Sequence, residues 1–133
     1  MANPKLNFAH ICDYASFGDG KLNIFGIFKS INTKKLPAVH PQLSIVTNIL
    51  IDKGVEYEEI IKLVRKEDNE EVNPEKQLKF NFSIPFDGNE KTAEISFVGQ
   101  LNGISFEKAG QYVFNIFLNN ILIGEISFEV KVI

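Results

Sequence analysis

The strongest constraint on this chain is a strict two-residue alternation. Leu78, Phe80, Phe82, Ile84 and Phe86 are interleaved with Lys79, Asn81, Ser83 and Pro85. An apolar residue at every second position suits a strand with one face buried and one face wet. Near the C-terminus Ile126, Phe128, Val130 and Val132 alternate with Ser127, Glu129 and Lys131. Ala93, Ile95, Phe97 and Leu101 share one face of another strand, with Gly99 as a candidate bulge. Tyr112, Phe114, Ile116 and Leu118 share one face of a fourth.

Turn residues punctuate these runs. Asp19-Gly20 and Asn119-Asn120 each separate two apolar runs, and both pairs tolerate the positive φ angles of tight hairpins. Leu22–Phe28 and Leu43–Ile51 are apolar on both parities, which predicts central strands or strands covered on both faces. Residues 29–42 contain Pro37 and Pro41, lack periodicity, and read as a long connection between sheets. Residues 66–76, with Glu67, Asp68, Glu70, Glu71 and Glu75, read as an exposed acidic loop. Residues 57–65 fit a helical stripe through Tyr57, Ile60, Ile61 and Val64, or a strand through Tyr57, Ile61 and Leu63. The short run among β neighbours favours the strand.

The sum is about eight strands in one domain, residues 1–133. No helix alternates with the strands, so a parallel α/β sheet is disfavoured. Strands with one apolar face must pack face to face, which predicts an all-β, two-sheet antiparallel Greek-key sandwich. Gly110-Gln111-Tyr112, opening a strand with Phe114 two residues on, has the pattern of a tyrosine corner and points to an immunoglobulin-like sandwich. The chain has 12 Phe and no Trp. Phe80, Phe82, Phe86, Phe97, Phe114 and Phe128 fall on inward parities, and burying each contributes about 1.5–3 kcal/mol before entropy is counted.

The Cys12–Ser16 segment is followed by Gly20-Lys21-Leu22-Asn23-Ile24-Phe25-Gly26-Ile27-Phe28 and Leu36-Pro37. Further on come Ala109-Gly110-Gln111-Tyr112 and Gly124-Glu125-Ile126. Together these stretches resemble a family of small bacterial proteins known only as a domain of unknown function. The resemblance implies a stand-alone bacterial β-sandwich and brings no catalytic residues with it.

Chemistry is sparse. With one cysteine, Cys12, no intrachain disulfide can form. His10, Cys12 and His40 are the only soft ligands, in the wrong order for a blue-copper site. Cys12 therefore reads as a small buried hydrophobe. Adjacent Cys12 and Asp13 would point to opposite faces of a strand, which argues against a catalytic thiol. Asp13, Asp19, Asp52 and Asp68 are scattered among turns rather than gathered as calcium requires. The basic residues Lys29, Lys34 and Lys35 read as a solvated loop. A net charge of -3 argues against nucleic acid as a partner. No apolar run approaches the roughly 20 residues of a membrane span, and the N-terminus lacks a signal-peptide pattern. The expected compartment is the cytoplasm. No cofactor or metal is expected.

What remains is apolar residues on the outward parity: Phe25 and Ile27 in one strand, Val113 and Phe117 in another. Exposed apolar patches mark interaction surfaces. The expectation is a non-enzymatic, cytoplasmic sandwich acting through protein–protein contact, with a second copy of itself as a candidate partner. The alternative is a small-molecule or carbohydrate binding module using loops at one end. The lack of Trp counts against sugar stacking.

Overall fold

The computed structural model describes residues 4–133. Ten strands follow in order: β1 (Lys5–Gly18), β2 (Lys21–Ile27), β3 (Ser30–Thr33), β4 (Ala38–Asp52), β5 (Glu56–Arg65), β6 (Glu70–Glu71), β7 (Leu78–Ser83), β8 (Thr92–Phe106), β9 (Gly110–Leu118) and β10 (Ile121–Val132). One 3-10 turn, Pro74–Lys76, separates β6 from β7. They form a four-stranded sheet, β2-β1-β4-β8, and a six-stranded sheet, β3-β10-β9-β5, in which β6 and β7 both pair with β5. The neighbours β1–β4, β4–β8 and β5–β9 are distant in sequence, as Greek-key connections require. The architecture is an immunoglobulin-like β-sandwich with ten strands rather than eight.

Both expected hairpin turns form through positive φ at each central residue: 52° and 71° at Asp19 and Gly20, 48° and 66° at Asn119 and Asn120. Residues 56–65 are a strand, and their Tyr57, Ile61 and Leu63 are buried in an alternating row. The two additional strands are short. β3 arises inside the supposed connection 29–42, where Ser30–Thr33 pairs with Glu129–Val132. That pairing is parallel, a departure from an all-antiparallel sandwich. The connection also ends early, because β4 starts at Ala38 and pairs with β8 from there.

The core lies between the sheets. Tyr112, Phe106, Phe114 and Phe128 are essentially inaccessible, and their rings pack at 5.0–6.0 Å between centroids. Phe80, Phe82 and Phe97 form a second aromatic group with contacts of 4.8 and 4.7 Å. Phe86 does not join the core: β7 stops at Ser83, before Pro85, and Phe86 is exposed. Gly99 is not a bulge. β4 and β8 run in unbroken register past Ile45↔Gly99. A Cβ at Gly99 would stand 2.5 Å from Leu78 Cδ1, so the missing side chain is what lets β7 settle against β8.

A smaller cluster occupies the four-stranded sheet, where Leu22, Ile24 and Val98 pack against Cys12, Ala15 and Val46. It accounts for the two-sided apolar pattern of β4, which is a central strand. β2 is different. It pairs only with β1 and forms a sheet edge, so its two-sided pattern does not come from a central position.

Candidate interaction surface

The β1–β2 hairpin carries an exposed apolar face. Register pairs Cys12 with Ile27, Tyr14 with Phe25 and Phe17 with Leu22. The rings of Tyr14 and Phe25 stack at 6.3 Å, and both are about half exposed. Ile27 is 52% exposed and Phe17 58%. Large apolar side chains this open on one hairpin, rather than scattered singly, are the pattern of an interaction site. Gly26 sits among them with φ 68°. A Cβ there would run into the Asp13 carboxylate, so glycine is required by both conformation and space.

The other two expected surface residues behave differently. Val113 and Phe117 belong to β9, in the opposite sheet. Val113 is only 3% exposed, flanked by Val64 and Ser127 on neighbouring strands, which corrects its placement on an open surface. Phe117 is half-buried, with Lys62 Nζ 5.6 Å from its ring centroid. The cation and the flanking Ile60 and Leu122 take up part of its face. The four residues therefore form no single patch. Tyr14 belongs with Phe25 and Ile27 instead, whereas Phe17, opposite Leu22, lies exposed on the other face of the hairpin. The pairing of the two hairpin strands around Asp19-Gly20 was the sequence signal that could have found them.

Gly110 and Tyr112 sit where β8 turns into β9. Gly110 has φ 132°, and the Tyr112 hydroxyl donates a 2.6 Å hydrogen bond to the Lys108 carbonyl oxygen. Nearby, the acidic segment is anchored rather than free. Arg65 donates to Asp68 at 2.8 and 3.3 Å and to Glu70 at 3.2 Å. The guanidinium holds the Asp68 carboxyl down at about 2. Asn73 donates to the Ser105 carbonyl at 2.9 Å and accepts from the Ser105 N–H at 3.1 Å.

The candidate catalytic and metal residues do not assemble. Among the described residues, no three His, Cys, Asp or Glu side chains converge on a common point. Cys12 is fully buried, its thiol pointing at the Ser44 and Tyr14 carbonyls, and burial pushes its pKa up. His40 packs on Phe28 at 5.7 Å, and burial lowers its pKa. His10 stacks on Phe8 at 5.8 Å.

An open groove of about 340 Å3 is lined by Pro4, Tyr57, Leu118, Asn119, Ile121 and Ile123. Its polar groups are already engaged: the Tyr57 hydroxyl accepts from the Asp52 N–H at 3.1 Å, and Asn119 bonds the Glu58 N–H and the Glu56 carbonyl. Among the described residues, no helix is long and apolar enough to cross a membrane.

Fold and surface together define an immunoglobulin-like β-sandwich whose distinctive exposed feature is an apolar hairpin. The model of a family of unknown function, DUF6941, matches residues 7–131, and the chain belongs to that family. No curated protein matches it. Solved structures similar at low identity include the following two. One is the alkylpurine DNA glycosylase AlkC of Pseudomonas fluorescens, bound to DNA containing an abasic site analog. It has 10% identity and a TM-score of 0.47, over 98% of this chain and 31% of that one. The chain thus spans under a third of the glycosylase's length. The other is an immunoglobulin-like protein (PA1606) from Pseudomonas aeruginosa, with 14% identity and a TM-score of 0.35 over 97% of both chains.

Proposed function

We propose that this protein is a non-enzymatic bacterial binding domain of the cytoplasm that works by protein–protein contact through the β1–β2 hairpin, including contact with a second copy of itself. The observation that carries the reading is the exposed Tyr14–Phe25 stack with Ile27 on the same face. β2 is also a sheet edge bonded on one side only, so its free backbone groups suit strand addition by a partner. The sole thiol is buried and held neutral, which suits a binding role better than nucleophilic catalysis. The net charge of -3 favours protein over nucleic acid as the partner.

The test is light scattering across a wide concentration range, paired with capture from a host lysate on immobilised wild type and on a Phe25→Ser, Ile27→Ser double variant. The expected result is association or specific capture by wild type that the double variant loses. A wild type that stays monomeric and captures the same proteins as the double variant overturns the proposal.

The groove beside Tyr57 supports a small-molecule reading less well. Its only aromatic, Tyr57, is 5% exposed and offers no open stacking face.

A further inference from the structure

Glu59 is a carboxyl side chain buried inside the sandwich. Period two along β5 points Tyr57, Glu59, Ile61 and Leu63 between the sheets, and Glu59 is fully buried there. Neither carboxyl oxygen has a hydrogen-bond partner among the described residues. Thr47 of β4 lies close enough to ease the burial slightly, yet its own Oγ1 has no partner either. On the adjacent strands Glu59 pairs with Phe80 of β7 and Leu118 of β9. Across the sheets Thr47 is flanked by Ala9 of β1 and Phe97 of β8. None of these facing residues is charged. The charged neighbours along these strands, Glu58 and Lys62 of β5 and Lys79 of β7, lie on the alternate parity, and Lys79 pairs with Glu58 at 3.0 Å on the outer face. A carboxylate in such a place has no countercharge and only the Thr47 hydroxyl nearby to favour it, so ionising it demands water.

The walls around Glu59 are unequal. β4 and β9 are central strands bonded along both edges, and β8 is paired with β4 over its whole length. β7 has six residues and bonds to β5 alone. Its inner side carries Leu78 and Phe80 against Gly99 and Phe82 against Phe97 and Tyr57, all three half-buried, while Lys79, Asn81 and Ser83 are exposed. The cheapest path from Glu59 to water therefore runs under β7.

We propose that β7 is a proton-linked flap over Glu59: it stays seated on β5 while the carboxyl keeps its proton, and lifts when the proton is lost so that the carboxylate meets water. Lifting also uncovers the Phe80, Phe82 and Phe97 group and frees one edge of β5. Burial supports the proton's retention, pushing Glu59 up to about 7.

Amide hydrogen exchange of the full chain, corrected for the intrinsic rate, tests this at pH 5 and pH 7.5. Protection across Leu78–Ser83 should be lower than in β4 at both values. It should fall roughly fiftyfold between them, the change a carboxyl shifted from about 4.5 to about 7 imposes on any opening that solvates it. In Glu59→Gln the fall should vanish. Should that variant fail to fold, a carboxyl-carbon NMR titration of Glu59 in the wild type decides alongside the wild-type exchange. Two results overturn the flap: β7 protection independent of pH, or equal to that of β4 at both values. Titration of Glu59 in the ordinary carboxylate range overturns it too.

Discussion

The Tyr112 hydroxyl reaches back four residues to the Lys108 carbonyl oxygen, at 2.6 Å. The ring that delivers it stacks on Phe128 at 5.7 Å and meets Phe106 edge-on at 5.0 Å. One side chain thus fastens the β8–β9 crossover and fills the core between the sheets. Tyr112→Phe keeps the ring and removes only the bond. Denaturant titration should show a loss of about 1–2 kcal/mol, because a partly buried carbonyl loses its donor. An unchanged midpoint would mean that water replaces the hydroxyl without cost.

Glu59 makes stability depend on pH. Its folded value near 7 lies above its ordinary 4.5, so the folded state holds more protons between those limits. Stability is then fully present below about pH 4.5 and declines as pH rises to about 7. The loss is about 3 kcal/mol, levelling once both states are ionised. Glu59→Leu should flatten this slope and raise the denaturation midpoint at pH 8. A midpoint that climbs with pH from 5 to 7 in the wild type would contradict this sign.

Asp68 acts at the opposite end of the scale. Its carboxyl is held at about 2 by Arg65, so the contribution of the pair is present above the ordinary 3.8 and disappears as pH falls towards 2. Asp68→Asn should loosen residues 66–76 at neutral pH. Limited proteolysis should then cut that segment faster than in the wild type while the rest of the chain resists.

Gly99→Ala should destabilise by about 1–3 kcal/mol, the usual cost of crowding a packed interface. The added methyl would meet Leu78 Cδ1 at 2.5 Å and push β7 outward. Loss of the Phe80 and Phe82 NMR contacts to Phe97 would locate the damage. Retained contacts with unchanged stability would show that Leu78 simply rotates aside.

Phe25 and Phe114 should separate function from stability. Phe114 is 1% exposed, and Phe114→Ala should cost about 3–5 kcal/mol. Phe25 is 55% exposed, and Phe25→Ala should cost under about 1 kcal/mol in the isolated protein while weakening association. Equal losses of stability at both positions would show that the hairpin face serves folding instead.

Much of this fold is legible in alternation and turn chemistry, because both are local. Asp19-Gly20, Asn119-Asn120 and the inward row Tyr112, Phe114, Ile116 and Leu118 stand where the pattern puts them. β3 was not legible: only Ile31 is apolar and buried, and the strand exists because its backbone finds β10. The two-sided greasiness of β2 was visible, but alternation cannot tell a central strand from an edge whose second face is open. Glu59 was within reach. Once Tyr57, Ile61 and Leu63 are read as one face, the residue between Tyr57 and Ile61 must share it. Val113 illustrates the converse, since outward parity says nothing about how closely Val64 and Ser127 crowd it.

The parallel pairing of β3 with β10 carries a consequence for biosynthesis. Residues 30–33 wait for residues 129–132, about three quarters of the chain further on, and the Thr33 carbonyl accepts from the Ile133 N–H at 2.8 Å. Contacts of such separation slow folding, since a large loop must close before they repay it. On the ribosome, Ser30–Thr33 therefore emerges long before its partner exists. The six-stranded sheet gains that border only when translation has delivered its last strand, so a stalled or truncated chain would expose the β10-facing groups of β3 and the core above Ile31.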